Sequence, residues 1–115
     1  MTRGDIVLVN LLQAANGTGH EQVGIRPALI VQDDSISETF SIIVIVPFTS
    51  SLKAQRFPHT ILIRPSAQNG LNALSVLLVF QLRAIDKKRV TKKIGRLEDE
   101  LMLKVNAEMK ALLGL

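Results

Sequence analysis

Phe40–Val46 reads FSIIVIV and is followed directly by Pro47. Five consecutive residues of this stretch, Ile42 to Val46, are β-branched, and none of the five is polar. An apolar run this short, without alternation, predicts a strand covered on both faces rather than a helix. Pro47 has no N–H to give to a ladder and is expected to end the strand. Working toward the N-terminus, Ala28–Val31 predicts a second strand that opens at Arg26-Pro27, and Asp33-Asp34-Ser35 turns the chain between the two. Asp5–Leu12 (DIVLVNLL) predicts another strand, closed by the flexible loop Asn16-Gly17-Thr18-Gly19.

Toward the C-terminus, Thr49–Arg56 is polar and basic and predicts a loop. His59–Arg64 (HTILIR) alternates as a half-buried strand does, and Asn69-Gly70 marks a turn. Leu74–Ile85 predicts one long strand, apolar through Phe80 and alternating after it. Only then does the period change. Leu97, Leu101, Val105, Met109 and Leu112 mark one helical face, with Glu98, Asp99 and Glu100 in the first turn, a Glu100–Lys104 pair at the favoured spacing, and Gly114 as the stop. Five short strands and one terminal helix predict a mostly antiparallel α+β domain, a compact barrel or strongly bent sheet. A doubly wound fold would need helices between the strands, and none is indicated.

The 115 residues, 12.6 kDa, suit one domain, residues 1–115, around a single core. With 47% apolar and 21% charged residues and a mean hydropathy of +0.27, the chain is too hydrophobic for intrinsic disorder. Its apolar runs fall well short of the ~20 residues of a spanning helix, and residues 1–10 lack the basic start and cleavage site of an export signal. A cytoplasmic protein with no membrane partner is expected. The absence of cysteine excludes disulfides, thiolate metal sites and a cysteine nucleophile. Two histidines without a carboxylate cluster predict no metal centre.

Charge is unevenly divided. Residues 1–49 hold two cationic and five acidic side chains, a net of −3, while residues 50–115 hold twelve and five, a net of +7. Arg83, Lys87, Lys88, Arg89, Lys92, Lys93 and Arg96 face only Asp86 in their stretch. Such a concentration suits phosphate neutralisation; a merely solvated face is the alternative. With no Trp or Tyr and only Phe40, Phe48, Phe57 and Phe80, the chain lacks a base-stacking platform. Recognition of RNA would rest on charge, hydrogen bonds and shape.

No phosphate loop, G-x-S-x-G elbow or H-E-x-x-H motif is present. The remaining polar residues sit at strand mouths: His20-Glu21-Gln22 before Gly24-Ile25-Arg26-Pro27, Thr49-Ser50-Ser51 after Pro47, and Gln81 and Arg83 late in the apolar stretch. In this order and spacing, together with Arg3-Gly4-Asp5-Ile6-Val7, Asn69-Gly70-Leu71, Ser75-Val76 and Gln81-Leu82-Arg83-Ala84-Ile85-Asp86-Lys87, the chain resembles the MazF/PemK/Kid toxins over nearly its whole length.

That resemblance implies an SH3-like barrel of the PemK/CcdB type with a C-terminal amphipathic helix. It also implies a homodimer, an antitoxin partner with an acidic segment, and sequence-selective cleavage of single-stranded RNA without metal or other cofactor. The substrate's 2′-hydroxyl would attack phosphorus, giving a 2′,3′-cyclic phosphate and a 5′-hydroxyl. By the same resemblance Arg26, Thr49 and His20 are the expected catalytic residues. Arg26 offers a fork to phosphate oxygens, Thr49 a hydroxyl that orients the phosphate, and His20 a group that titrates near neutrality. Glu21, Gln22, Ser50, Gln81 and Arg83 are the expected RNA contacts. A strand-end ion pair is the alternative for Arg26, a turn cap for Thr49, and a barrel-interior amide for Gln81. His59 reads as structural. The pattern breaks at Phe80, where the family commonly has aspartate, and at Leu78, where Kid-type members have arginine. A CcdB-like toxin without catalysis and a degenerate RNA-binding member are therefore the competing readings. Phe80 is expected to pack or to line the site.

Overall fold

The computed structural model describes residues 1–11, 24–36 and 38–115. Among these, the strands are β1 (Asp5–Leu11), β2 (Gly24–Ile30), β3 (Ile42–Thr49), β4 (Thr60–Ile63), β5 (Ser75–Leu78), β6 (Arg83–Asp86) and β7 (Val90–Arg96), followed by the helix α1 (Asp99–Leu113). All the pairings are antiparallel, in the order β4-β5-β3-β2-β1-β7, with β6 also on β3. The antiparallel sheet and the C-terminal helix are as expected from the sequence.

The apolar runs of the central strands follow from burial on both faces. Ile6, Leu29, Val46 and Phe48 join one core, which Leu97, Met102 and Val105 close from the helix side. Their neighbours Val7, Val9, Ala28, Ile30, Ile43 and Ile45 form a second core with Ile85. Consecutive residues of a strand point to opposite faces, so two cores on one sheet demand an unbroken apolar string. Leu101, Met109 and Leu112 pack against the first core, so the helical stripe is core surface. Gly114, at φ 71°, ends the helix in the left-handed conformation.

Four expectations about strands are corrected. Pro47 does not end β3. It lies between the last pair with β6, Ile45–Arg83, and the first with β5, Phe48–Leu77. Leu74–Ile85 is two strands, because β5 pairs with the end of β3 and β6 with its start. The single 3-10 turn Val79–Gln81 carries the chain from one to the other. The basic stretch after Asp86, expected to neutralise phosphate or to form a solvated face, contains β7, whose only apolar members are Val90 and Ile94. β2 begins at Gly24, ahead of Arg26-Pro27, with Pro27 inside the strand opposite Leu8. The loop Asn16–Gly19 lies outside the described residues.

Candidate functional site

The change of partners along β3 opens a cleft. β2 and β3 pair only at Ala28–Pro47, Leu29–Val46 and Ile30–Ile45. Beyond Pro47, Phe48 and Thr49 pair with β5 instead, so the two strands part company. Continuing the β2–β3 register would set Arg26 opposite Thr49, and both residues line the cleft of about 470 Å³ that lies there. Ser50 lines it too. Three of the residues expected from the sequence are thus brought together by one strand switch.

Arg26 is exposed near the start of β2 and lines the cleft, and a guanidinium fork matches the geometry of phosphate oxygens. Thr49 is buried at the end of β3, and its Oγ1 accepts a hydrogen bond from the Ser51 N–H at 3.2 Å. The turn-capping alternative for Thr49 is therefore real. It is compatible with the other role, because a hydroxyl that accepts one bond keeps its own proton for a second partner. The charged residues among the described lining are Arg26 and Lys92, both cationic.

The wall facing β2 is the loop Gly70-Leu71-Asn72-Ala73, with Ser75 below it. Asn69, fully buried, shapes this loop. Its Oδ1 accepts from the N–H of Ser66 and of Leu71, and its Nδ2 donates to the Arg64 carbonyl at 2.9 Å and to Glu98 at 3.3 Å. Ser66 Oγ donates to the same Glu98 carboxylate at 2.9 Å. The loop also lies flat on β7. Gly70 has φ 71°, and a Cβ there would stand 1.9 Å from the Ile94 carbonyl oxygen. A Cβ on Gly95 would stand 2.3 Å from the Asn69 carbonyl. Two glycines therefore meet back to back, and the Asn69-Gly70 turn places a wall of the cleft.

The other expected residues fall elsewhere. Gln81 is half-buried in the 3-10 turn and Arg83 is in β6 opposite Ile45; neither lines the cleft. Phe80 packs against Phe57, ring centroids 5.3 Å apart, and its N–H donates to the His59 carbonyl. His59 Nδ1 lies 2.9 Å from Glu108 Oε2, tying the entry to β4 to the helix, in keeping with a structural role. His20, Glu21 and Gln22 lie outside the described residues. Sequence reasoning missed Lys92, Asn72 and Ser75 as cleft residues. Ser75-Val76 was visible as a motif, but nothing in the sequence shows that Lys92 turns toward the cleft.

The basic run is partly spent on structure. Lys93 and Arg96 both bind the buried Asp5 carboxylate, at 3.2 and 3.1 Å. Burial pushes the Asp5 carboxyl up, but the Thr2 N–H, Lys93 and Arg96 together outweigh it and hold the group below the usual aspartate range. Asp86 accepts from the Lys88 N–H, and Arg89 donates to the Asn10 carbonyl.

Residues 2–113 match the family model described as PemK-like, MazF-like toxin of type II toxin-antitoxin system. The chain is 33% identical to the endoribonuclease EndoA of Bacillus subtilis over 113 residues, covering 98% of this chain and 94% of the relative. It is also 33% identical to the endoribonuclease MazF of Staphylococcus saprophyticus over 115 residues, 100% of this chain and 92% of the relative. The crystal structure of MazF from Deinococcus radiodurans superposes with a TM-score of 0.81 at 24% identity, covering 100% of this chain and 97% of that one, which shows the shared fold. Matched by its family model over residues 2–113 and 33% identical to these two relatives across almost its whole length, the chain belongs to the PemK-like, MazF-like toxin family of type II toxin–antitoxin systems.

Proposed function

We propose that this toxin is a sequence-selective endoribonuclease that cuts single-stranded RNA in the cleft between β2 and β3. The observation that carries the proposal is the placement of Arg26 and Thr49 on the two lips of one cleft, whose described charged lining is cationic. The 2′-hydroxyl of the substrate gives up its proton as its oxygen attacks the adjacent phosphorus, the bond to the 5′-oxygen of the next nucleotide breaks, and that oxygen takes up a proton and leaves as a 5′-hydroxyl. The other product is a 2′,3′-cyclic phosphate. Because the nucleophile belongs to the substrate, the protein has only to orient the phosphate, stabilise growing charge and move protons.

Arg26 holds the non-bridging oxygens and gains interaction energy as they take up charge. Thr49 donates its hydroxyl proton to the same phosphate, and Ser50 extends the contact. His20 is assigned to proton transfer because histidine as a residue type can both take up and release a proton, with Glu21 and Gln22 beside it as RNA contacts. Gln81 and Arg83, outside the cleft, have no part in the chemical step. The two relatives at 33% identity are both named endoribonucleases, which favours cleavage over a non-catalytic CcdB-like role.

The toxin acts as a homodimer in the cytoplasm and is neutralised by an antitoxin whose acidic segment competes with RNA for the cationic cleft. No helix among the described residues is long and apolar enough to cross a membrane. The test is cleavage of a mixed-sequence RNA in excess EDTA, with both new ends mapped. Cyclic phosphate and 5′-hydroxyl ends are expected. Activity lost in EDTA and restored by Mg²⁺ overturns the proposal.

A further inference from the structure

Lys92 is the one cation of the β7 strand that lines the cleft. Its direction is set by irregularities in the β1–β7 ladder, where the register shifts between Ile6 and Val7 and again between Leu8 and Val9. Counting back from Arg96 with plain alternation, Lys92 would share the Arg96 side and Lys93 would oppose it. The shift reverses this. Lys93 pairs with Val7 and turns to the Asp5 carboxylate that Arg96 also holds, while Lys92 pairs with Leu8, a residue of the cleft floor. Bulges near functional sites commonly re-aim a side chain in this way.

Leu8 also pairs with Pro27 of β2, so Lys92 and Pro27 flank the same β1 residue, with Arg26 next along β2. Across the floor the order is Thr49 on β3, Arg26 on β2, Leu8 on β1 and Lys92 on β7. At ~4.8 Å per strand, the Lys92 strand lies about 10 Å from that of Arg26 and at least about 14 Å from that of Thr49. The phosphate that Arg26 and Thr49 share is therefore on the far side of Arg26 from Lys92. We propose that Lys92 forms a second phosphate subsite, which holds the RNA backbone one or two nucleotides from the scissile bond and sets the register of the strand. The proposal rests on the assignment of the Arg26–Thr49 cleft to RNA cleavage. Lysine suits this role, because its compact, hydrated point charge can hold a phosphate that does not react. It acts as a positioning residue rather than a catalytic one.

The test uses a short RNA carrying the mapped cut site, made uncleavable by a 2′-deoxy sugar at the attacking position. Its binding to wild type, Lys92→Ala and Lys88→Ala is measured by fluorescence anisotropy across a salt series. Lys88 is exposed outside the cleft and controls for net charge. Loss of one phosphate contact is expected to flatten the plot of log K against log[salt] by about 0.7 for Lys92→Ala, and not for Lys88→Ala. A methylphosphonate at a flanking phosphate should weaken binding to wild type but not to Lys92→Ala. On the cleavable RNA, KM should rise with kcat unchanged. Equal slopes for the two variants, coupling of Lys92 to the scissile phosphate alone, or a fall in kcat at constant KM would each overturn the subsite. Arg26→Ala in parallel separates the two assignments. If it cuts as fast as wild type, the cleavage reading itself fails; if it is inactive while Lys92→Ala binds normally, only the subsite fails.

Discussion

Replacing Gly70 with alanine tests whether the loop wall of the cleft is fixed by its contact with β7. Two costs add. Alanine at φ 71° carries about 1–2 kcal/mol of left-handed strain. Its Cβ would also lie 1.9 Å from a backbone carbonyl oxygen of Ile94, which has no flexible side-chain end to move aside. Forcing extra atoms into a packed contact typically costs another 1–3 kcal/mol. The sum, about 2–5 kcal/mol, is a large part of an ordinary domain's stability of ~5–15 kcal/mol. Urea unfolding at constant m-value reads this directly. Gly95→Ala strains the same contact from the other side, with its Cβ 2.3 Å from the Asn69 carbonyl. Once the loop has moved off β7 for one alanine, the second meets less resistance, so the double variant should lose at least 0.5 kcal/mol less than the sum of the singles, roughly the lower limit for coupled neighbours. Because residues 70–73 line the cleft, KM for RNA should rise with the loss of stability. A Gly70→Ala protein within about 0.5 kcal/mol of wild type, the usual range for a surface change, would refute the reasoning.

Asp5→Asn should destabilise the fold by about 1–3 kcal/mol at neutral pH, since it removes charge-assisted bonds to Lys93 and Arg96. The Asp5 carboxyl is held below its unfolded value of ~3.9, so its contribution is complete above that pH and drains away as pH falls toward the folded value. The gap in urea midpoint between wild type and variant should therefore be constant above ~pH 5 and shrink below ~pH 4; a gap that widens on acidification would contradict this. Phe80→Asp should leave cleavage unchanged or reduced, because residue 80 packs on Phe57 outside the cleft. Single-turnover cleavage checks it, and a tenfold gain, about 1.4 kcal/mol of barrier, would mark the wild type as a weakened nuclease.

Most of the strands were legible because burial on both faces leaves an unmistakable β-branched string, as in Ile42–Val46. The helix was legible because its period of 3.6 survives in Leu101, Val105, Met109 and Leu112. The division of Leu74–Ile85 was not, since apolar residues fill β5 and the 3-10 turn alike, and only the β3 pairing reveals where the chain steps. β7 escaped because three of its seven residues are cationic, with two directed to Asp5 and one to the cleft. Arg26, Thr49 and Ser50 could be named from the resemblance to the toxin family. What brings them together could not: the cleft exists because β3 changes partners at Pro47, a property of topology rather than of any local residue.

The most direct test of the central assignment is the single-turnover rate of Arg26→Ala on one mapped RNA in EDTA, beside Arg26→Lys and wild type, with folding checked by circular dichroism. If Arg26 stabilises charge at the reacting phosphate, alanine should slow cleavage at saturating RNA by about 10²-fold or more, the loss typical of a transition-state charge contact. Lysine should restore only part of it, because a point charge cannot replace the guanidinium fork. A folded Arg26→Ala protein that cuts at the wild-type rate would contradict the account.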